Sequence, residues 1–191
     1  VICSSGTEAV IHCAAWTAVD DAEDQELRDK VYAVNYTGTV NVAKACREIG
    51  AKLIYISTDY VFDGSGLQPH RADDMDFAPI NEYGRSKLAG EQAVREMLDR
   101  YFIVRTSWLF GRGRNFVTTM INAGQKHESV RVVSDQIGTP TYATDLAKLL
   151  VDMVETEKYG YYHATNEGGY ISWYDFCCEF YKQYGLETKV I

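Results

Sequence analysis

The chain is 191 residues long, with 46% hydrophobic and 24% charged residues and a formal net charge of −8. These values are ordinary for a globular protein with one sizeable core and a small second lobe, and the negative charge argues against nonspecific binding to nucleic acid. No apolar run approaches the roughly 18 residues that suggest a membrane span, so we expect a cytoplasmic protein that binds neither nucleic acid nor a membrane.

The first part of the chain alternates apolar runs with a segment of helical periodicity. Residues 9–15 and 52–58 are short apolar runs, which predict strands buried on both faces. Between them, residues 26–49 carry apolar side chains at helical spacing and are followed by Gly50, a typical helix terminator. This order predicts a right-handed crossover in a parallel sheet.

The rest of the chain continues the alternation. Asn81 can cap a helix that ends near residue 98, and Ser172 can cap a helix over residues 173–184. The other predicted elements are strands over residues 101–108, 130–133 and 161–164, and helices over residues 116–126 and 145–154.

The five cysteines form no Cys-x-x-Cys pair and no cluster with histidine at metal-binding spacing. Their odd number and their positions in apolar segments are typical of free thiols in a reducing compartment. We therefore predict no metal site, and we expect the adjacent Cys177 and Cys178 to pack on a helix rather than to form a redox site.

Tyr83 and Lys87 are the most chemically suggestive pair in the sequence. Their spacing puts both side chains on one face of the predicted helix, about one turn apart. A fixed ammonium beside a phenol favours the phenolate and lowers the tyrosine pKa, which suits a group that transfers protons near neutrality. The same spacing also occurs on helices where the ring is packed and the amine is solvated.

Ser57 and Thr58 lie at the carboxyl end of a predicted strand, where parallel α/β sheets bind ligands. With Tyr83 and Lys87 on the following helix, they would supply a hydrogen-bond donor, a proton-transfer group and a cation. Hydroxyls at strand ends also bind the amides of the adjoining turn. The order and spacing of these residues relative to Tyr83 are what favour a catalytic site.

Several segments resemble the extended short-chain dehydrogenase/reductases and, within them, the dTDP-4-dehydrorhamnose reductases. The Tyr-x-x-x-Lys pair is common to the whole superfamily, whereas Thr-Asp-Tyr-Val-Phe-Asp-Gly and Asp-Gln-Ile-Gly-Thr-Pro-Thr are far more specific. Trp16 departs from the family, where we expect His. The resemblance covers nearly the whole chain through the segments His12–Asp20, Ser57–Gly64, Tyr83–Glu91, Arg105–Trp108, Asn115–Val117 and Asp135–Thr141.

The resemblance implies NADPH-dependent reduction of the C4 keto group of dTDP-4-dehydro-6-deoxy-L-mannose to dTDP-L-rhamnose, in cell-wall and O-antigen sugar biosynthesis. Thr58 would bind the C4 carbonyl, Tyr83 would protonate its oxygen, and Lys87 would hold the nicotinamide ribose and depress the tyrosine pKa. NADH is the alternative donor, because the family carries its cofactor-selecting residues before the point where this sequence starts. The implied partner is a nucleotide sugar, and some members of the family form homodimers.

The resemblance also assigns two sets of binding residues. Within them, Asn35 could instead be a solvated helix position, Val61 and Phe62 could be plain core, and Trp108 could be a packed strand end. The implied cofactor-binding residues are Cys13, Ala14, Ala15, Thr17, Asn35, Ser57, Tyr83 and Lys87. The implied substrate-binding residues are Thr58, Asp59, Tyr60, Val61, Phe62 and Trp108.

The alternating elements place the chain in the α/β class, and we predict a Rossmann-like, doubly wound parallel sheet with a small C-terminal substrate lobe. We assign residues 1–135 to the NAD(P)-binding core and residues 136–191 to part of the sugar-nucleotide lobe, from which one helix and one strand return to the core. No strand is followed by the glycine-rich turn that binds a pyrophosphate. We therefore expect the N-terminal βαβ portion with that turn to precede Val1.

Two other functions fit the same residues. A nucleotide-sugar 4-epimerase shares Tyr83 and Lys87 and retains tightly bound NAD. A non-catalytic regulatory subunit, resembling that of methionine adenosyltransferase, would use the fold to bind a cofactor and a partner protein. A 4,6-dehydratase is disfavoured, because it needs an acidic pair after the threonine and the second of these positions is Tyr60.

Overall fold

The computed structural model describes residues 1–66 and 68–191. The helices are α1 (Arg28–Tyr32), α2 (Thr39–Ile49), α3 (Glu82–Met97), α4 (Phe116–Gly124), α5 (Ala143–Val154) and α6 (Trp173–Tyr184). The strands are β1 (Ala9–His12), β2 (Lys52–Thr58), β3 (Tyr101–Thr106), β4 (Leu109–Phe110), β5 (Ser129–Val130), β6 (Ile137–Gly138), β7 (Thr141–Tyr142), β8 (Gly160–His163), β9 (Ile171–Ser172) and β10 (Lys189–Val190).

Short 3-10 turns at Ile2–Ser4, Asp21–Glu23 and Asp59–Val61 and a π-helical segment at Ala33–Gly38 complete the regular structure. In the part of the chain that the structure describes, no helix has the length and apolar character that crossing a membrane requires.

The chain divides into two compact units. Unit 1 comprises residues 1–106 and 149–164, and unit 2 comprises residues 107–148 and 165–191. This division differs from the predicted boundary between residues 135 and 136. The chain leaves unit 1 at the end of β3, and β8 belongs to unit 1 because it pairs with β3.

Unit 1 is built on a parallel sheet with the strand order β1-β2-β3-β8. Each neighbouring pair is parallel, which confirms the predicted α/β class. The predicted fourth strand over residues 130–133 is wrong: only Ser129–Val130 is a strand, and its partner is the two-residue β10 in unit 2. The fourth strand of the main sheet is β8, a short apolar run that the sequence marked as a last strand.

The helices of unit 1 pack on this sheet through a common apolar core. The predicted helix over residues 26–49 begins at Arg28, changes to π-helical geometry at Ala33–Gly38, and ends at Gly50 in the left-handed conformation. Helix α3 begins as predicted, because the Asn81 side chain accepts a hydrogen bond of 2.7 Å from the amide of Gly84. Buried residues of this core are Ala43, Cys46, Ala51, Leu53, Tyr55, Val94, Leu98 and Ile103.

A buried ion pair joins α3 to β3. The guanidinium of Arg105 donates two hydrogen bonds, of 3.1 and 2.9 Å, to the carboxylate of Glu91, and both side chains are almost completely buried. The same guanidinium lies 5.1, 4.9 and 4.7 Å from the ring centroids of Phe62, Phe77 and Tyr161. A charge this deeply buried is tolerated only because it is paired and surrounded by polarisable rings.

Unit 2 contains α4, α6 and three two-stranded pairs: β4 with β7, β6 with β9, and β5 with β10. Ser172 caps α6 as predicted, since its hydroxyl accepts a hydrogen bond of 2.9 Å from the amide of Asp175. Cys177 is completely buried on α6 against Val130 and Tyr181, and Cys178 is half-buried. These positions fit the packing role predicted for the two cysteines.

Replacing Glu91 by alanine would leave the Arg105 guanidinium buried without its carboxylate. We expect Glu91→Ala to lower the free energy of unfolding by about 3–5 kcal/mol. The control is Glu96→Ala, an exposed residue of the same helix, for which we expect a change of less than about 0.5 kcal/mol. Urea unfolding followed by circular dichroism measures both, and similar losses in the two variants would contradict a special role for the buried pair.

Candidate active site

The carboxyl end of β2 carries two buried hydroxyls. The Thr58 hydroxyl accepts a hydrogen bond of 3.2 Å from the amide of Tyr60 and donates one of 3.1 Å to the carboxylate of Asp59, so it also caps the following 3-10 turn. Ser57 is 3% exposed, and its hydroxyl has no hydrogen-bond partner among the residues described. Because buried hydroxyls normally have a partner, Ser57 is suited to meet a ligand.

The first turn of α3 lies directly against this 3-10 turn. A Cβ atom on Gly84 would overlap the carbonyl oxygen of Tyr60, so only glycine permits this close approach. The rings of Tyr60 and Tyr83 meet edge to face, with centroids 5.8 Å apart. The packing therefore brings Tyr83 to the end of β2, next to Thr58.

Burial dominates the electrostatics of the Tyr83 phenol. Burial raises the pKa of Tyr83 to about 12, the charges of Asp59 and Tyr60 act in the same direction, and hydrogen bonding with Thr58 opposes them. Lys87 is not among the groups that shift this pKa, so its expected effect on the phenol stays a prediction. The phenol is held in its protonated form at neutral pH.

Lys87 faces β2 rather than the phenol. Its side chain is almost fully buried, its ammonium donates a hydrogen bond of 2.7 Å to the carbonyl of Ile56, and it lies 4.1 Å from the ring centroid of Tyr55. Burial lowers the pKa of Lys87 to about 7, against the opposing charges of Glu91 and Cys13. Lys87 thus exchanges its proton near neutrality.

Asn35 joins the chain after β1 to helix α3. Its side chain is fully buried in the π-helical segment. Its oxygen accepts a hydrogen bond of 2.7 Å from the amide of Trp16, and its nitrogen donates to the Trp16 carbonyl at 3.1 Å and to the Ser86 hydroxyl at 2.9 Å. The alternative of a solvated helix position is therefore wrong.

The segment after β1 offers an open surface at the carboxyl edge of the sheet. Cys13, Ala14 and Thr17 are exposed and Ala15 is half-buried. Because β1 pairs in parallel with β2, with His12 opposite Tyr55, this segment runs beside the end of β2. Small side chains beside the unpartnered hydroxyl of Ser57 fit a dinucleotide that passes close to the backbone.

The implied substrate residues differ in exposure. Asp59 and Tyr60 are exposed, whereas Val61 is fully buried and Phe62 is 5% exposed. The Phe62 ring stacks on His70 with centroids 3.9 Å apart, so Val61 and Phe62 pack as core. Trp108 lies in unit 2, where it is half-buried and stacked on another indole.

Sequence reasoning missed several residues that hold this site. Ser86 and Gly84 lie inside the Tyr83–Lys87 segment, so the motif itself marked them, although their contacts could not be foreseen. The sequence did not indicate that Tyr55 contacts the site, because a tyrosine in an apolar strand is interpreted as a core residue. No group of three or more His, Cys, Asp or Glu side chains within residues 1–66 and 68–191 is placed to bind a metal ion.

The low pKa of Lys87 predicts a distinct pH dependence of stability. The unfolded chain binds the lysine proton up to its ordinary pKa of 10.5, whereas the folded chain releases it near 7, so stability rises with pH between these values. Relative to Lys87→Met, we expect the parent to gain about 2 kcal/mol of unfolding free energy between about pH 7 and pH 9.

Urea unfolding at each pH measures this gain. Lys44→Met, which removes an exposed lysine of α2, is the matched control and should follow the parent across the same pH range. If the difference between the parent and Lys87→Met stayed constant with pH, the buried ammonium would not have the depressed pKa.

Comparison with known proteins gives a consistent result. A spore coat polysaccharide biosynthesis protein, SpsK, of Bacillus subtilis is 43% identical over 185 residues, which are 96% of this chain and 64% of that protein. A dTDP-4-dehydrorhamnose reductase of Streptomyces griseus is 48% identical over 84% of this chain and 54% of its own length. The chain thus spans between half and two thirds of these relatives.

A crystal structure of dTDP-4-dehydrorhamnose reductase from Bacillus anthracis, in complex with NADP, superimposes with a TM-score of 0.93 at 46% identity, over 97% of this chain and 66% of that one. The similarity confirms the predicted Rossmann-like fold and the resemblance to these reductases. The family described as the RmlD substrate binding domain matches residues 1–191. The chain therefore belongs to the RmlD substrate binding domain family.

Proposed function

We propose that the protein containing this chain uses NADPH to reduce the C4 keto group of dTDP-4-dehydro-6-deoxy-L-mannose, forming dTDP-L-rhamnose. The observation that carries the proposal is the placement of the Tyr83 phenol beside Thr58 at the carboxyl end of β2, with the buried Lys87 on the next turn of the helix. The names of the similar reductases and the NADP of the similar crystal structure support the same reaction.

The protonation states fit a reaction in the direction of reduction. Tyr83 is protonated at neutral pH, so it can donate its proton to the oxygen that becomes negative as the carbonyl is reduced. The Thr58 hydroxyl can turn from Asp59 to donate to the same oxygen, which orients the keto group. The ammonium of Lys87 then favours the phenolate that remains.

The residues at the end of β1 and β2 fit a nicotinamide dinucleotide, which supplies a hydride when bound. Cys13, Ala14, Ala15 and Thr17 would contact it through an open stretch of backbone, and the Ser57 hydroxyl would gain the partner it lacks. Lys87 would hold the ribose, and the hydrogen bonds of Asn35 would hold the segment after β1 in place against α3.

For the sugar, we propose contacts from the exposed Asp59 and Tyr60 and from Trp108. Val61 and Phe62 would act indirectly, by fixing the turn that carries Tyr60. NADPH rather than NADH as the natural donor and a homodimer stay predictions of the resemblance, as does the division into a cofactor-binding core and a sugar-nucleotide lobe. The cytoplasmic location stays a prediction from the sequence composition.

The test is an assay of the full-length protein with NADPH and dTDP-4-keto-6-deoxy-L-mannose, followed by the loss of nicotinamide absorbance. We expect Tyr83→Phe to lower kcat by about 10²–10⁴-fold, because the proton donor is lost while the ring is kept. Tyr184→Phe, an exposed tyrosine at the end of α6, is the matched control and should retain the activity of the parent.

Three results would contradict the proposal. Binding of NADPH without its consumption would favour the non-catalytic, regulatory function, and consumption that persists in Tyr83→Phe would remove this tyrosine from the role of proton donor. Interconversion of C4 epimers with retained NAD and no net use of NADPH would favour the epimerase.

A further inference from the structure

Trp108 has a backbone conformation that large side chains rarely adopt. Its φ angle is 47°, and it is the only non-glycine residue with a positive φ within residues 1–66 and 68–191. For a bulky residue this left-handed conformation is costly. Such strain persists only where the surroundings enforce it, and it concentrates at functional sites.

Two residues enforce the position of the Trp108 ring. The indole of Trp173 stacks on it face to face, with centroids 3.6 Å apart and planes inclined by 11°. Gly138 lies so close that a Cβ atom there would be 2.5 Å from Cε2 of the Trp108 indole. Any larger residue at position 138 would have to displace the ring.

The backbone around Trp108 is fixed as well. The amide of Thr141 donates a hydrogen bond of 3.2 Å to the Trp108 carbonyl, and the preceding Ser107 hydroxyl donates one of 2.7 Å to the carbonyl of Thr139. The ring and the main chain are therefore held independently, as the enforcement of a strained conformation requires.

The topology of unit 2 brings the two enforcing residues to the same ring. Strand β6 pairs in antiparallel fashion with β9, with Gly138 opposite Ile171 and Ile137 opposite Ser172. Trp173 follows β9 directly and opens α6, so the β6–β9 pair fixes it beside Gly138. The segment Asp135–Thr141 has no part in the proposed proton transfer, but through Gly138 it packs against the Trp108 ring.

We propose that Gly138 and Trp173 are positioning residues that form a clamp on Trp108, and that this clamp sets the affinity for the nucleotide sugar. The inference rests on the proposed function, in which Trp108 contacts the sugar. A half-buried indole locked in one orientation presents the same surface before and after binding, so no ordering cost reduces the affinity. Simple core packing of two indoles would require neither a left-handed backbone nor a glycine.

The clamp has a spectroscopic signature that needs no substrate. The chain contains three tryptophans, so the substitution Trp16→Phe leaves only the stacked pair, whose indoles lie close enough for their excited states to couple and give an exciton couplet in circular dichroism. In this background we expect Gly138→Ala to abolish the couplet. Ile137→Ala changes the exposed neighbour of Gly138 on the same strand and should preserve it.

Binding of dTDP-L-rhamnose, measured by calorimetry on the same full-length variants, tests the consequence. We expect Gly138→Ala to raise the Kd for dTDP-L-rhamnose by at least roughly tenfold and to leave the Kd for NADPH unchanged, whereas Ile137→Ala leaves both unchanged. Trp173→Phe keeps an aromatic ring at the clamp, so this variant should fold even if Gly138→Ala does not. We expect Trp173→Phe to lose the couplet and to bind dTDP-L-rhamnose more weakly.

The outcomes separate the clamp from the proposed reaction. Absence of the couplet in the Trp16→Phe protein, or loss of the couplet with unchanged binding of dTDP-L-rhamnose, would overturn the clamp. A protein that does not consume NADPH but loses dTDP-L-rhamnose binding on Gly138→Ala would refute the reductase and leave the clamp standing.

Discussion

The buried amide of Asn35 is the interaction on which the candidate active site depends. It binds both backbone groups of Trp16 and the hydroxyl of Ser86, so a single side chain fixes the segment after β1 and the helix that carries Tyr83. The Ser86 hydroxyl in turn donates to the Tyr83 carbonyl at 2.7 Å. The π-helical geometry around Asn35 is of the kind that proteins use at functional sites.

Burial sets the chemistry of the two titrating residues in opposite directions. It raises the pKa of Tyr83 to about 12 and lowers that of Lys87 to about 7, because each group is favoured in its neutral form away from water. The phenol is thus protonated and able to give a proton, and the lysine, one helical turn away, can carry a charge when a phenolate forms. Reduction of a carbonyl needs a proton donor that is protonated before the hydride arrives, and the raised pKa of Tyr83 meets this need.

Local sequence signals predicted the elements well where their pattern was long or their cap was explicit, as for β2 and α3. They failed where pairing depends on distant partners: residues 130–133 were predicted to form a strand, but of these only Val130 pairs with another strand, and that strand is β10. The motif located Tyr83, Lys87 and Thr58, whereas the orientation of Lys87 toward Tyr55 is a tertiary contact with no local signal. The positive φ angle of Trp108 could not be predicted from the sequence either, because the residue type at this position gives no indication of it.

Following the hydride itself tests the proposed reaction most directly. The full-length protein is given NADPH labelled with deuterium at the transferred position of the nicotinamide, and the sugar product is analysed by NMR. We expect one deuterium at C4 of dTDP-L-rhamnose, formed by the parent and almost absent in Tyr83→Phe. Deuterium at another carbon, or a C4 that takes none of the label while the keto sugar is consumed, would contradict it.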